Sequence, residues 1–296
     1  MIKAPRLTPG GTIGLCSPSH IAKPEEYLQI IDTFRRKGYS VREGNNLYKA
    51  TYGYLASPQE RAADFNQLID DPEVELVMFG GGEGSVELLP YLDFDNMARH
   101  PKLILSYSDG TTILNAIWAK TGLETYYGQS PNMYTDLRCY DYEQFLWHMA
   151  DGHVTQHVPN SPWLTQTHGT ARGILTGGYT RNFALLLGSP YFSWEPDGRY
   201  LLFLEDHEQF GAVDYVSAML ANIEQSPFIS TVTGLIFGHY SALPCRQLLN
   251  RLERFGKDHK IPVVYCDDFG HGSNHAILPI GHMAELDTEP CRLRYV

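Results

Sequence analysis

Three side chains of the kinds that cooperate in acyl transfer stand far apart in this sequence: Ser108, Glu205 and His271. A serine hydroxyl becomes a strong nucleophile when an imidazole takes its proton, and a carboxylate can hold that imidazole and balance its charge. The order Ser…Glu…His is compatible with a catalytic triad, although triads occur in several chain orders. These residues predict a serine hydrolase, provided that folding brings them together.

Ser108 follows the apolar run LILSY and precedes the helical pattern TTILNAI. A serine on a tight strand-to-helix turn projects its hydroxyl above the sheet, and the next amide, that of Asp109, can face a developing oxyanion. The alternative is that Ser108 or Asp109 simply caps the helix. Taken alone, this segment slightly favours the cap.

Glu205 lies at the end of the apolar run RYLLFLE, where a predicted strand leaves the sheet. There it could orient a histidine, as the acidic member of a triad does. The alternative is an ordinary solvated acid, since Asp206 and Glu208 show that acids are abundant in this segment. The segment alone favours the solvated acid.

His271 lies between Gly270 and Gly272, after the predicted strand IPVVYCDD. Flanking glycines allow a sharp turn that leaves the imidazole accessible, and histidine can accept a proton near neutral pH. His275 is a rival base in the same loop. The two histidines also form an HxxxH spacing, but a glycine-rich loop lacks the helix that such a metal pair needs, so no metal site is predicted.

A glycine-rich turn, GGGEGS, covers residues 80–85 after the run VELVMF. Glycines permit close backbone approach and leave bare N–H donors, which suits an oxyanion or a peptide carboxylate. A phosphate or dinucleotide loop is the other interpretation. It is weaker because the full Rossmann fingerprint and its strand-end acid are missing.

The elements that must position these residues alternate between short apolar strands and amphipathic helices. Residues 12–19 predict a buried strand, and apolar side chains from Tyr27 to Phe34 recur at helical spacing. Ser57 and Glu60 form a capping box that opens a second helix. Strand and helix in alternation predict an α/β fold with a parallel sheet covered by helices.

Residues 152–170 lack periodicity, which predicts a linker near the middle of the chain. After them the α/β pattern resumes. We therefore expect an N-terminal domain over residues 1–155, a linker over 156–170 and a C-terminal α/β domain over 171–296. In open parallel sheets, sites lie beyond the carboxyl ends of strands, where the three reactive residues are expected.

Composition excludes several classes of function. The formal charge is −11 and no basic run occurs, which argues against nucleic-acid binding. The five cysteines include no CxxC pair, so reduced thiols are expected. The N-terminal residues lack the apolar region of a secretory signal, and no apolar run is long enough for a membrane span. A cytoplasmic protein without membrane partners is predicted.

Several linked motifs then carry a resemblance to a known family. PRLTPGGTIGLCSPS is similar to the family's opening strand, GGGEGSVELLPYLDFD to its glycine turn, and SYSDGTTIL to its nucleophile segment. LTGG, LLGSPY, LLFLED and FGHGSNHAILPIG follow in the family's order. Over nearly its whole length the sequence resembles the LD-carboxypeptidases of peptidase family S66, which include muramoyl-tetrapeptide carboxypeptidases and microcin C7 self-immunity proteins.

The resemblance implies a Ser-Glu-His triad in which one domain contributes Ser108 and the other contributes Glu205 and His271. It implies an oxyanion hole from backbone amides at Gly81, Gly82 and Asp109. It further implies a flavodoxin-like N-terminal domain, a smaller C-terminal α/β domain, commonly a homodimer, and chemistry without metal or cofactor. The implied substrate is a small peptide, a recycled cell-wall tetrapeptide that loses its terminal D-Ala.

The sequence departs from the family around the site. Gly80 and Glu83 replace an arginine and a tyrosine of the glycine turn, and Ser106 replaces the family's glycine directly before Tyr-Ser-Asp in the nucleophile segment. These changes concern the substrate more than the chemistry. Arg181 is a candidate clamp for the terminal carboxylate, because an arginine fork suits carboxylates; the alternative is a surface arginine on a helix.

Three rival functions stay open on the sequence. The same fold and triad could cleave a peptide-nucleotide antibiotic of the microcin type, for which stacking aromatic side chains would be needed. A non-catalytic ligand-binding protein with two α/β lobes would leave Ser108, Glu205 and His271 far apart. A nucleotide-binding oxidoreductase would use GGGEGS to bind NAD.

Overall fold

The computed structural model describes residues 1–136 and 138–296, which form two sheets flanked by helices. The first part of the chain contains β1 (Thr12–Cys16), α1 (Pro24–Arg36), β2 (Ser40–Glu43), α2 (Pro58–Asp70), β3 (Val74–Phe79), α3 (Phe94–Arg99), β4 (Leu103–Ser106), α4 (Thr111–Thr121), β5 (Thr125–Tyr127) and α5 (Cys139–Phe145).

The second part contains β6 (Leu164–Thr167), β7 (Thr170–Tyr179), α6 (Thr180–Leu186), β8 (Tyr200–Glu205), α7 (Val213–Gln225), β9 (Val232–Phe237), α8 (Arg246–His259), β10 (Val263–Tyr265), β11 (Leu278–Ile280), β12 (Met283–Asp287) and β13 (Arg292–Tyr295). Short 3₁₀ or π-helical segments cover Ser85–Tyr91, Ser108–Gly110, Pro131–Asp136, Leu146–Asp151 and Pro227–Thr231.

The first sheet has the order β11-β5-β4-β3-β1-β2, and β1 to β5 all run parallel. The succession β2-β1-β3-β4-β5 is the flavodoxin-like order, in which the strand order reverses between β1 and β3. The predicted α/β class with a parallel sheet is confirmed. Because helices cover the faces, β3 and β4 are buried along almost their full length, as their apolar sequences require.

The second sheet has the order β13-β12-β7-β8-β9-β10-β6. Its four central strands, β7 to β10, are parallel, while β6, β12 and β13 pair antiparallel at its edges. All six residues of β8 are buried. This continuous apolar strand delivers Glu205 to the interior of the molecule rather than to solvent.

Two helix predictions are confirmed in detail. Helix α1 buries Tyr27, Ile30, Ile31 and Phe34, the residues that recur at helical spacing. Helix α2 begins with the predicted capping box, in which the Glu60 amide donates to Ser57 Oγ over 3.2 Å. The Ser57 amide donates in return to the Glu60 carboxylate over 2.9 Å. Local sequence signals therefore determine where α2 begins and which face of α1 is buried.

The chain crosses between the sheets more than once. Strand β11, from the second half, pairs antiparallel with β5 at the edge of the first sheet. Strand β6 lies inside residues 156–170, the predicted linker, and pairs with β10 in the second sheet. The proposed domain limits stay a prediction. Within the described residues, no helix is both long and apolar enough to cross a lipid bilayer.

Candidate active site

Ser108, Glu205 and His271 meet between the two sheets, although long stretches of chain separate them. His271 Nε2 lies 3.0 Å from Ser108 Oγ, and His271 Nδ1 lies 2.8 Å from Glu205 Oε2. Both distances are within hydrogen-bond range. The structure therefore joins the three side chains in the relay that a nucleophile, a base and an orienting acid require.

Ser108 sits on the turn between β4 and α4 with a φ of 56°, a left-handed conformation that is rare for a residue with a side chain. Such strain persists only where the surrounding structure enforces it, and it is frequent at functional positions. Neither Ser108 nor Asp109 caps α4 through its side chain, so the capping interpretation is wrong. The turn instead points Ser108 Oγ at the imidazole.

Glu205 is completely buried, which rules out the solvated strand-end interpretation. Both carboxylate oxygens have partners: Oε2 faces His271, and Oε1 accepts a 2.5 Å hydrogen bond from the Tyr127 hydroxyl. A buried carboxylate with these partners is held in one orientation. Burial, together with the Glu205 charge, raises the pKa of Tyr127 well above its ordinary value, so the phenol keeps its proton.

The hydroxyl of Tyr127 also accepts a hydrogen bond of 3.2 Å from the Ser108 amide. One phenol therefore links the Glu205 carboxylate to the backbone of Ser108. Since the Ser108 amide is already engaged, it is not free to face a substrate oxygen. Tyr127 is not among the site residues predicted from the sequence. Its position could have indicated it. Tyr127 ends β5, which is parallel to β4, so it lies at the same carboxyl edge of the sheet as the turn that carries Ser108.

The imidazole of His271 is enclosed by aromatic side chains. Ring centroids of Tyr107, Tyr179 and Phe210 lie 4.5, 5.1 and 5.1 Å from the His271 ring. His275, the rival base, is turned away and places Nδ1 3.2 Å from the Asp141 carboxylate. Over residues 1–136 and 138–296, no three His, Cys, Asp or Glu side chains form a cluster that could hold a metal ion.

The glycine turn comes directly against the nucleophile. A Cβ built on Gly81 would lie 2.6 Å from Ser108 Cβ, so only glycine fits there. Gly82 has a φ of 134°, and a Cβ on it would lie 2.2 Å from the Ser19 carbonyl oxygen. This close packing brings the backbone of Gly81 and Gly82 into the cavity in front of Ser108.

Asp109, the residue after Ser108, is buried. Its carboxylate accepts hydrogen bonds from the Ser85 amide over 2.8 Å and from Asn182 Nδ2 over 2.5 Å. Asn182 belongs to α6, so this contact ties the nucleophile turn to the second sheet's helices. The side chain of Asp109 is thereby fixed away from the cavity, which leaves its backbone as the group that can act on a substrate.

Asp206, the residue after Glu205, is also buried. Its Oδ1 accepts a hydrogen bond from the His207 amide over 2.8 Å, and its Oδ2 is buried without a partner among the described residues. Burial and then the charge of Glu205 raise the pKa of Asp206 to about 7. Each carboxylate oxygen of Glu205 has a hydrogen-bond partner, whereas Asp206 Oδ2 has none among the described residues.

A cavity of about 880 Å³ opens in front of the triad. Its charged side chains, apart from histidines, are Glu83 and Arg181, which form an ion pair across the cavity mouth. Arg181 also lies 5.5 Å from the Tyr179 ring centroid. The lining residues are His20, Gly80, Gly81, Gly82, Glu83, Tyr107, Ser108, Ser130, Asn132, Met133, Tyr179, Arg181, Gln209, Phe210 and His271.

Comparison with known proteins agrees with this architecture. The LD-carboxypeptidase N-terminal domain family matches residues 13–128, and the LD-carboxypeptidase C-terminal domain family matches residues 172–286. A Bacillus subtilis (strain 168) protein described as a probable murein peptide carboxypeptidase is 29% identical, over 97% of this chain and 92% of its own length.

The microcin C7 self-immunity protein MccF of Escherichia coli is 26% identical to this chain, and the alignment covers 97% of this chain and 93% of MccF. Among solved structures, the MccF-like protein from Bacillus anthracis str. Ames has a TM-score of 0.91 at 22% identity. That likeness covers 100% of this chain and 99% of the other. It shows that the two proteins share a two-domain fold.

Proposed function

Because this chain belongs to the LD-carboxypeptidase family, we propose that it is a serine carboxypeptidase that cleaves an L,D peptide bond. The proposed reaction releases the terminal D-Ala from a murein tetrapeptide during cell-wall recycling. The observation that carries the proposal is the continuous relay from Ser108 Oγ through His271 to Glu205, with separations of 3.0 and 2.8 Å.

In the first step, His271 Nε2 takes the proton of Ser108 Oγ while that oxygen attacks the carbonyl carbon of the scissile bond. The imidazolium that forms donates its Nδ1–H to Glu205 Oε2, whose negative charge stabilises it. Tyr127 holds the other carboxylate oxygen, so Glu205 cannot turn away as the charge develops. Burial keeps these electrostatic interactions strong.

The tetrahedral intermediate places a negative charge on the former carbonyl oxygen, which backbone amides must stabilise. We assign this role to Gly81, Gly82 and Asp109, which border Ser108. Since the Ser108 amide donates to Tyr127, the donors come from the glycine turn and from the residue after the nucleophile. Each donor of this kind contributes roughly 3–4 kcal/mol to lowering the barrier.

Collapse of the intermediate breaks the peptide bond. His271 Nε2 gives its proton to the departing amine of D-Ala, and the rest of the peptide stays esterified to Ser108 Oγ. Water then enters, loses a proton to His271 and attacks the ester carbonyl, which regenerates the Ser108 hydroxyl. The residues of the relay complete this cycle without a metal or cofactor.

Substrate binding is assigned to the cavity in front of the triad, where Arg181 supplies a fixed positive charge. An arginine fork suits a carboxylate of the peptide. The volume of about 880 Å³ is within the range of small-molecule sites and suits a short peptide rather than a folded protein. We further propose that the protein acts in the cytoplasm as a homodimer.

Substitution of Ser108 by alanine tests the proposed nucleophile. With murein tetrapeptide as substrate, we expect D-Ala release by the Ser108→Ala variant to fall at least about a thousandfold, with an unchanged melting temperature. Ser230→Ala, which removes an exposed hydroxyl, is the matched control and should leave turnover unchanged. A fluorophosphonate probe should label the wild type but not Ser108→Ala. Full activity in that variant would refute the nucleophile assignment.

A microcin-type peptide-nucleotide hydrolase is the second candidate function. Tyr107, Tyr179 and Phe210 border the cavity, and such rings can stack against a nucleobase. The likeness to MccF, a microcin C7 self-immunity protein, is consistent with it. Assays of a murein tetrapeptide and an aminoacyl sulfamoyl adenosine side by side separate the two functions, because the preferred substrate has the larger kcat/KM.

A further inference from the structure

The ion pair between Glu83 and Arg181 places one negative and one positive charge at the mouth of the proposed peptidase's cavity. Glu83 lies within the glycine turn that follows β3 of the first sheet, whereas Arg181 is in α6, beside the second sheet. Among the lining residues these are the fixed charges, and each neutralises the other through their ion pair. A substrate that binds Arg181 must therefore replace the Glu83 carboxylate, because the guanidinium is already paired.

A simple carboxylate is a poor competitor for this pair. If a terminal carboxylate bound Arg181, two negative groups would share one guanidinium, and Glu83 would lose its partner beside a like charge. A group that carries an ammonium and a carboxylate on the same carbon avoids this penalty. Its carboxylate pairs with Arg181 while its ammonium pairs with Glu83, so that every charge stays matched.

The pair is built in a way that permits this exchange. The Glu83 side chain is 73% exposed, so the pair is of the weak, solvent-screened kind that opens at little cost. Arg181 is only 26% exposed, and the Tyr179 ring lies beneath its guanidinium. The cation is therefore held in place at the cavity while the anion can swing to receive a ligand.

We propose that Glu83 and Arg181 determine substrate specificity by binding a zwitterionic side-chain end, as in a peptide with meso-diaminopimelate before the scissile bond. The proposal rests on the peptidase function above and names the diamino acid that this site prefers. A lysine side chain in the same place offers an ammonium to Glu83 but leaves Arg181 without a partner. The site should therefore prefer the diaminopimelate peptide to the lysine peptide.

The test compares two tetrapeptides, L-Ala-γ-D-Glu-X-D-Ala with X as meso-diaminopimelate or L-lysine, by kcat/KM for D-Ala release. We expect the wild type to favour the diaminopimelate peptide at least about tenfold. Arg181→Gln should abolish that preference by slowing only the diaminopimelate peptide, because the lysine peptide makes no use of the guanidinium. Glu83→Gln should slow both peptides, since both present an ammonium.

A charge-swapped double variant, Glu83→Arg with Arg181→Glu, keeps an ion pair across the mouth but reverses its direction. If the ion pair served only to connect the glycine turn with α6, this variant would retain the wild-type rates and the preference for the diaminopimelate peptide. Under the specificity proposal it loses the preference. The remaining possibility is that Arg181 binds the terminal carboxylate of the peptide. The same peptides ending in D-alaninamide, which lacks that carboxylate, test it. An Arg181→Gln defect that is equal for both peptides and vanishes with the amide would assign Arg181 to the terminal carboxylate and overturn the proposal.

Binding to Ser108→Ala, measured by calorimetry with the uncut peptides, tests the specificity apart from the chemistry. We expect tighter binding of the diaminopimelate peptide, lost in the Ser108→Ala, Arg181→Gln double variant. Equal binding of both peptides overturns the specificity proposal even if D-Ala is released. Absence of D-Ala release by the wild type, together with preserved selective binding, overturns the peptidase function and leaves the zwitterion site standing.

Discussion

The hydroxyl of Tyr127 connects two of the three candidate catalytic residues. It donates to Glu205 Oε1 over 2.5 Å and accepts from the Ser108 amide over 3.2 Å, so it holds the Glu205 carboxylate and the Ser108 backbone together. Tyr127→Phe removes both bonds and leaves the ring. We expect kcat to fall about ten- to a hundredfold with little change in KM, because a buried carboxylate oxygen loses its donor.

Tyr126→Phe is the matched control for that prediction, measured by steady-state kinetics and thermal unfolding. Tyr126 is the preceding residue of β5, points to the opposite face and donates to Glu124 rather than to Glu205. The Tyr126→Phe variant should have a lower melting temperature than the wild type but an unchanged kcat. Equal kcat values in the two variants would mean that the Tyr127 hydroxyl has no role in positioning Glu205 and Ser108.

Asp206 gives a pH dependence that can be derived from its burial. Burial and the adjacent Glu205 charge raise its pKa to about 7, from an ordinary value of 3.8. Between about pH 4 and pH 7 the folded chain holds a proton that the unfolded chain has released. The free energy of unfolding therefore falls as pH rises through this window, by up to about 4 kcal/mol, and is flat above it.

Asp206→Asn should remove this component, because the amide stays neutral at every pH. We expect its melting temperature to exceed that of the wild type at pH 8 and the two curves to converge towards pH 5. Asp258→Asn, an exposed change on α8, should follow the wild-type curve. Parallel curves for Asp206→Asn and the wild type would show that Asp206 is ionised throughout this range.

At the level of single residues, the sequence could predict what a short motif contains but not what lies opposite it. Ser108 and His271 stand in recognisable turns, and Glu205 ends an apolar strand. Whether the acid was solvated or buried depended on β8 being central in its sheet, which local sequence does not encode. Tyr127 and the partner of Arg181 depend on contacts between distant segments and were missed for the same reason.

Strand β7 must pack closely against β8 for the site to form, because β8 carries Glu205. Gly177 has a φ of 137°, and a Cβ there would lie 1.9 Å from the Phe203 carbonyl oxygen of β8. Gly177→Ala should therefore separate β7 from β8, the strand that carries Glu205. We expect a loss of roughly 3 kcal/mol or more in unfolding free energy, measured by urea denaturation, since strain and steric overlap add.

Gly188→Ala is the control for this element, because its Cβ would meet nothing closer than 3.9 Å and its φ is not in the positive range. It should leave the unfolding free energy within about 0.5 kcal/mol of the wild type. If Gly177→Ala were equally harmless, β7 and β8 would not be packed as closely as the structure has them.

The elements with strong local signals were the ones that sequence predicted. Helix α2 has its capping box, α1 has its apolar stripe, and β8 is a continuous apolar run. Strand β6 was predicted as linker because residues 152–170 lack periodicity, and its four residues are all half-buried in the structure. Strand β11 lies in AILPIG, which the sequence predicts as a short strand, but its place beside β5 in the first sheet depends on pairing across a long sequence separation.

The contacts between the two sheets determine whether the whole chain unfolds as one cooperative unit. The buried amide of Asn115 donates to the Gly177 carbonyl over 2.8 Å, and its oxygen accepts from Thr176 Oγ1 over 2.8 Å. Helix α4 is thereby tied to β7. Strand β11 adds a second connection, because it lies in the first sheet while β10 and β12 on either side of it lie in the second. These links predict a single cooperative unfolding transition for the whole chain.

Asn115→Ala tests this coupling at the scale of the whole molecule. The change leaves the Gly177 carbonyl and the Thr176 hydroxyl buried without their partner, which costs roughly 2–4 kcal/mol in unfolding free energy. Differential scanning calorimetry should show one transition for the wild type and one at lower temperature for the variant, whereas Asn250→Ala, an exposed change on α8, should not shift it. Two resolved transitions in the wild type would mean that the sheets unfold independently. The triad would then depend on docking between two separately stable halves, and Asn115→Ala would lower kcat without lowering either melting temperature.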